Sequence, residues 1–178
     1  MKKLVLSLVV LMGVSTAFAQ HVGNTDWDSE ESFRQDEQYI VNDILWLEEN
    51  PFATKDNNTK VISDYVIRWL TETPYVSVKF DEIFTGGIVN NKKYKYSDKI
   101  RVTYLFGKSL YVIEHQGEPN ETAASLRGLE GVVKVYKEII SVDPNAKHKE
   151  LEYYKELFDS HQLRDYVAAH LKKMGSDL

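Results

Sequence analysis

The chain has 178 residues, a formal net charge of -5, 12% aromatic residues and no cysteine. Its length falls within the roughly 100 to 200 residues of a single domain, and the aromatic residues can fill a core. The acidic balance excludes a typical nucleic-acid-binding protein, which needs an excess of lysine and arginine to neutralise phosphates. The absence of cysteine excludes disulfides, thiolate metal sites and cysteine nucleophiles.

The N-terminus has the pattern of a bacterial secretory signal. Lys2 and Lys3 precede the apolar run 4–14, and Ala17-Phe18-Ala19 follows it, so residues 1–19 are predicted to be a signal peptide cleaved after Ala19. The apolar run is shorter than the roughly 20 residues of a membrane-spanning helix. We therefore expect a soluble, exported protein, periplasmic or secreted, with no membrane span after cleavage and with a net charge of -7 once Lys2 and Lys3 are removed.

Residues 20–35 are polar and acidic and show no apolar period, so they are predicted to form a flexible leader. A single helical domain is then predicted over residues 36–174. Its first helix covers about residues 36–49, where Ile40, Ile44 and Leu47 share one face, and it stops at Pro51.

A second helix is predicted to begin after the possible N-cap residues 56–58 and to end at Thr73-Pro74. Because the loop between the first two helices is short, we expect them to pack antiparallel, with Trp46 and Trp69 near the contact. Residues 75–98 alternate in places like a strand and are interpreted as irregular, with a glycine-rich and asparagine-rich loop at residues 85–91.

The segment 99–115 admits two interpretations. A β-hairpin turning at Gly107 agrees with its β-branched and aromatic residues, which would give a small sheet within residues 75–115 and an α+β fold. One helix agrees with a stripe through Ile100, Tyr104, Gly107 and Tyr111, in which Gly107 lets a neighbouring helix approach closely. The helical interpretation is favoured because the segments on both sides are helical.

Three further helices are predicted after residue 120. The first runs to Val142, with Leu126, Leu129, Val133, Tyr136 and Ile140 on one seam, and a pair follows that joins near Ser160. Gly128 and Gly131 on one side of the first indicate a close helix crossing or a contact with a partner's backbone, and packing within the chain is favoured. The fold expected from all segments is all-α, with about six helices packed as antiparallel hairpins in an irregular or repeat-like bundle.

Two resemblances are visible in this half of the chain. Residues 136–145, YKEIISVDPN, resemble the second helix and exit turn of a tetratricopeptide repeat. The order of Tyr104 to Gly107, Leu126 to Tyr136 and Leu163 to Val167 resembles a group of uncharacterised, exported bacterial all-helical proteins. That resemblance implies a helical fold and supplies no catalytic residue.

The sequence offers no catalytic, cofactor-binding or metal-binding residue that we would single out. The five histidines, His21, His115, His148, His161 and His170, lack metal-ligand spacing, and the acids near Trp27 lack the glycine and glutamate of an EF-hand loop. The only basic and aromatic cluster, residues 92–96, suits either a solvated loop or a grip on an anionic polysaccharide or phospholipid head group. No nucleophile motif or phosphate loop is present.

These patterns favour a binding or interaction module without catalysis, whose partner is a protein, a peptide or a glycan. The alternative is a small periplasmic hydrolase or lyase whose acid and base are scattered along the chain. A concave pocket with two or more titratable groups of strongly shifted pKa would favour the enzyme over the binding module.

Overall fold

The computed structural model describes residues 26–52, 58–116, 120–173 and Gly175, so the predicted signal peptide lies outside the described residues. The helices are α1 (Glu30–Glu49), α2 (Asn58–Glu72), α3 (Glu82–Val89), α4 (Ser97–Glu114), α5 (Glu121–Val142), α6 (Lys149–Asp159) and α7 (Leu163–Lys173), with a 3-10 turn (Pro144–Ala146) between α5 and α6. No strand occurs in these ranges, which include all of 75–115. The all-α prediction is confirmed, and the alternative with a small sheet is wrong.

The first helix begins at Glu30, earlier than the predicted start at residue 36. Ser29 caps it through a reciprocal pair of hydrogen bonds with Ser32, in which each backbone N–H donates to the other side-chain oxygen. Just before the cap, the Trp27 indole N–H donates to Asp36 at 2.8 Å and its ring stacks on Phe33. The described part of the expected flexible leader is therefore packed on the domain, because Trp27 and Phe33 supply apolar area that a count of its acids overlooks.

The two helices α1 and α2 pack antiparallel, as predicted. The Trp69 indole N–H donates to the Phe33 carbonyl at 3.2 Å, whereas the Tyr65 hydroxyl donates to Asp36 at 2.9 Å. The later residue of α2 thus meets the earlier residue of α1. Trp69 is fully buried, and Trp46 packs at the edge of the same apolar cluster.

Helix α3 replaces the loop predicted at residues 85–91. Phe84, Ile88 and Val89 are buried on one side of it, and the Thr85 hydroxyl donates to the Asp81 carbonyl at 3.2 Å. An interior glycine costs a helix about 1 kcal/mol relative to alanine. Burial of three large apolar side chains outweighs the cost of two glycines, which is why the local composition predicted this segment wrongly.

Helix α4 lies between two apolar cores and contributes residues to both. Its residues Ile100 and Tyr104 belong to a core completed by α3, α5, α6 and α7. Phe106, Leu110 and Ile113 belong to a second core completed by α1 and α2. Among the described helices, none is both long and apolar enough to cross a membrane.

Helices α4 and α5 cross at a pair of glycines. A Cβ atom at Gly107 would lie 2.8 Å from the Gly128 Cα and 2.7 Å from the Arg127 carbonyl oxygen. A Cβ atom at Gly128 would lie 2.8 Å from the Tyr104 ring and 2.9 Å from its carbonyl oxygen. Real Cβ contacts are longer than this, so the crossing requires glycine on both helices. The predicted close crossing at Gly128 is confirmed.

Gly128→Ala is therefore expected to lower the free energy of unfolding by about 1–3 kcal/mol, because the new methyl group overpacks against backbone atoms. Gly86→Ala is the matched control. Its Cβ would meet only ordinary contacts of 3.4 and 3.7 Å, so it should stabilise α3 by up to about 1 kcal/mol. Denaturant unfolding of both variants measures the difference, and equal changes would contradict the close crossing.

Candidate functional site

The most buried charge in the described chain is Lys108 of α4, whose side chain is 1% exposed. Its ammonium donates to Asp81 Oδ2 at 2.6 Å and is also hydrogen-bonded to Glu121. Asp81 Oδ2 accepts two more hydrogen bonds, from the Tyr104 hydroxyl at 2.6 Å and from the Ser125 hydroxyl at 2.9 Å. These five residues, the Lys108 cluster, tie the starts of α3 and α5 to the middle of α4.

The hydrogen-bond donors and acceptors of the Lys108 cluster are paired with one another. Three donors occupy one carboxylate oxygen of Asp81, so that oxygen has no free lone pair to offer a substrate. Burial, followed by the negative charge of Asp81, raises the pKa of Tyr104 far above its ordinary value, so its hydroxyl stays a donor. The geometry is that of charge compensation inside a fold rather than of an exposed acid and base.

A second buried ion pair joins α1 to α5. Glu48, whose side chain is 3% exposed, accepts two parallel hydrogen bonds from Arg127, at 2.8 and 2.9 Å. Lys134 lies 3.4 Å from the same carboxylate. Gly131 makes room for it, because a Cβ atom there would lie 2.5 Å from Glu48 Oε1. The glycine predicted to mark a close approach thus admits a carboxylate rather than a helix backbone.

An apolar cleft of about 220 Å³ opens between the end of α1, the start of α2 and the first turns of α4. We call it the Lys99 cleft. Its walls include Leu47, Val102 and Phe106, and Lys99 is its basic residue. The Lys99 ammonium donates to the Pro51 carbonyl at 2.7 Å, and burial lowers the pKa of Lys99 below its ordinary value. The cleft is also lined by Thr59, Ser63, Thr103 and Asp98. It therefore combines apolar walls with hydroxyl groups, one carboxylate and one partly desolvated cation.

A second cleft, of about 330 Å³, lies between α5 and the join of α6 and α7. Glu130, His161, Arg164 and Asp165 stand around an apolar floor that includes Phe158. The backbone φ of His161 is 60°, in the left-handed region. That conformation belongs to a helix stop, since the amides of residues 161 and 162 donate back to the carbonyls of residues 158 and 157. The backbone of this join is thus explained by helix termination.

The basic segment 92–96 does not present one continuous charged face. Tyr94 and Tyr96 are buried, and the Tyr96 hydroxyl donates to Asp143 at 3.1 Å. Lys95 lies 3.5 Å from the same carboxylate. Lys92 and Lys93 remain exposed. The tyrosines thus anchor the segment to the end of α5, which favours the interpretation as a structural loop over the grip on an anionic polymer.

The structure does not bring the histidines together. His115 stacks on Tyr111, His148 lies against Tyr94, and His170 contacts Tyr166, with ring centroids 4.1, 5.0 and 4.0 Å apart. His161 stands at the second cleft, and His21 is outside the described residues. Within residues 26–52, 58–116 and 120–173, no group of three or more histidine or acidic side chains is placed to hold a metal ion.

Comparisons with protein-family models, with curated proteins and with solved structures found no match. The resemblances to tetratricopeptide repeats and to exported helical proteins therefore stay predictions.

Lys99, Lys108, Asp81 and Glu121 were not singled out from the sequence. One signal for Lys108 was present, because it lies four residues after Tyr104 and continues a buried helical stripe. No pattern in the sequence marks Lys99 as facing a cleft.

Tyrosine hydroxyls are a recurring part of the interior. The Tyr154 hydroxyl donates to the Phe84 carbonyl at 2.7 Å, and the Tyr136 hydroxyl donates to Glu152 at 2.5 Å. Burial is the largest cause of a raised pKa at six tyrosines and brings that of Tyr94 to about 12. The six are Tyr75, Tyr94, Tyr104, Tyr136, Tyr154 and Tyr166. The folded protein thus holds these protons more tightly than the unfolded chain does.

Lys108→Met is expected to lower the free energy of unfolding by about 3–5 kcal/mol, because it leaves the carboxylates of Asp81 and Glu121 without their shared cation. Lys137→Met is the matched control. Lys137 pairs with Asp159 at 2.7 Å but is 38% exposed, so its loss should cost less than about 1 kcal/mol. Chemical denaturation compares the two variants, and similar small losses would show that the Lys108 cluster is open to water.

Alkaline pH should destabilise the protein steeply. Above pH 10, the ordinary pKa of tyrosine, the unfolded chain loses the six protons first, so stability present below pH 10 is lost as pH rises. Each tyrosine contributes up to about 1.4 kcal/mol per pH unit. The lowered pKa of Lys99 makes its own contribution to stability increase as pH rises, but this is one lysine against six tyrosines.

The measurement is a pH titration followed by circular dichroism and by tyrosinate absorbance. We expect the ionisation of these tyrosines to coincide with the loss of helix between about pH 10 and 12. Ionisation of all tyrosines near pH 10 in a protein that remains helical would contradict their burial.

Proposed function

We propose that the protein is an exported helical module, periplasmic or secreted, that binds a partner or ligand without catalysing a reaction. One contrast carries this proposal. The Lys108 cluster brings charged and hydroxyl groups together, but these groups form hydrogen bonds and ion pairs with one another inside the fold. The Lys99 cleft has apolar walls and a single partly desolvated ammonium, an arrangement typical of a binding pocket.

A specific observation supports the alternative of a small hydrolase or lyase. The Lys108 cluster holds a serine, a tyrosine and a lysine beside two carboxylates, and Glu121 is 33% exposed. An enzyme built on it would need Glu121 to face the substrate and Ser125 to give its proton to a free base. Ser125 instead donates to Asp81, whose acceptor oxygen is already shared with Lys108 and Tyr104. We therefore rank the binding module first.

The two functions are distinguished by thermal unfolding of the purified protein against peptides, glycans and small organic acids, followed by mass spectrometry of each stabilising compound. The binding module predicts a saturable rise of the unfolding temperature, since a ligand that binds only the folded state stabilises it. It also predicts that the compound is recovered unchanged. Turnover of the compound that Ser125→Ala abolishes and Lys99→Gln leaves intact would overturn this proposal in favour of the enzyme.

A further inference from the structure

We propose that the Lys99 cleft binds a carboxylate attached to a compact apolar group, with Lys99 as the cation that receives it. This inference rests on the proposed function and names the ligand class of the module. A free organic acid and the C-terminal residue of a peptide can both carry a carboxylate next to a compact apolar group. The experiment below separates these two sources.

The hydrogen-bonding capacity of the Lys99 ammonium is only partly used. An ammonium has three hydrogen-bond donors, and Lys99 uses one of them on the neutral Pro51 carbonyl at 2.7 Å. The Phe52 ring lies 5.3 Å away and adds a weak cation–π contact. Among the described residues Lys99 makes no ion pair, and burial alone lowers its pKa, although Asp98 also lines the cleft. A carboxylate ligand supplies the counter-charge that this partly buried cation lacks.

Other cations that the fold withdraws from water differ from Lys99 because they are paired with acids. Lys108 is held by two carboxylates, and Arg127 is held by Glu48. A buried cation is costly unless it is paired. Lys99 departs from that rule at the point where the surface is concave. A paired lysine would be a structural element, whereas an unpaired lysine in a cleft is arranged to receive an anion.

Lys99 lies in the first turn of α4. The helix begins at Ser97, and the side chain of its N-cap residue, Tyr96, makes no capping hydrogen bond. The first turn of a helix carries the positive end of its dipole, which favours a negative charge nearby. Asp98 already places one negative charge in this turn, so the dipole adds only weakly to the charge of Lys99.

The dimensions and walls of the cleft define the rest of the ligand. Leu47, Val102 and Phe106 form apolar walls, and a volume of about 220 Å³ is below the roughly 300–1,000 Å³ of drug-sized sites. A long acyl chain would not fit a cleft of this volume. A short branched or aromatic body meets both constraints.

The test is calorimetric titration of the full chain with three probes: phenylacetate, its neutral analogue phenylacetamide, and an N-acetylated dipeptide ending in leucine with a free carboxylate. We expect at least one carboxylate probe to bind, and phenylacetamide to bind at least about tenfold more weakly, because a charge-assisted hydrogen bond is lost. Binding of phenylacetate alone identifies a free acid as the source. Binding of the dipeptide in preference to phenylacetate identifies a peptide C-terminus.

Lys99→Gln should weaken the binding at least about tenfold. Lys92→Gln is the matched control, because Lys92 is exposed in the basic segment outside the cleft, and it should leave the affinity unchanged. A second pair keeps the test valid if Lys99→Gln unfolds. Val102→Glu and Val102→Gln place side chains of the same shape in the cleft and differ only in charge, so Val102→Glu should weaken binding at least about tenfold more than Val102→Gln does.

Two results would overturn the inference. One is binding of a carboxylate probe that Lys99→Gln and Val102→Glu leave unchanged. The other is the absence of any carboxylate binding to the wild-type protein. Neither result refutes the binding module itself, which fails only if the wider thermal screen finds no ligand or finds one that the protein converts.

Discussion

The contact between α4 and α5 at Gly107 and Gly128 is the constraint on which the rest of the fold depends. Because neither residue has a Cβ atom, the two backbones approach within a distance that any side chain would prevent. Tyr104 lies one turn before Gly107, and Lys108 is the residue after Gly107. The close crossing therefore delivers both side chains to the start of α5, where Ser125 and Glu121 complete the Lys108 cluster.

The same contact determines which elements pack against the two sides of α4. One side closes the core under α3, α5, α6 and α7, and the other receives the hairpin of α1 and α2. The Arg127 and Glu48 pair then joins α1 directly to α5, beside Gly131. With these elements held together, the start of α4 meets the end of α1 and the start of α2, and the Lys99 cleft is formed at that junction. The position of the Lys99 cleft is thus a consequence of how α4 is held by its neighbours.

The long, periodic helices could be predicted from the sequence, since their apolar residues repeat at helical spacing over several turns. The helical form of residues 99–115 was predicted from its neighbours, against its own propensity. The short helix α3 and the early start of α1 were not. Phe84 and Ile88 stabilise α3 only through a core built from distant elements, and Trp27 orders the region before α1 through Asp36 and Tyr65. Local composition contains neither contact.

The candidate sites were less predictable than the fold. A lysine in a helix normally indicates a solvated face. The acids that pair with Lys108, Asp81 and Glu121, lie 27 and 13 positions away in the chain. For Lys99 the informative fact is that it makes no ion pair with any described residue, which only the packed structure reveals. Gly128 was predictable because its cost to the helix implies a compensating contact.

The central claim, that the α4 and α5 crossing organises the fold, is tested most directly by native-state hydrogen exchange of backbone amides. Amides that open only when the whole domain unfolds exchange most slowly. The account predicts that the slowest amides lie in α4 and α5 around Gly107 and Gly128, and that those of α2 and α7 open at lower free energy. Exchange near these glycines as fast as in α7 would show that the crossing is a peripheral contact, and would contradict the account.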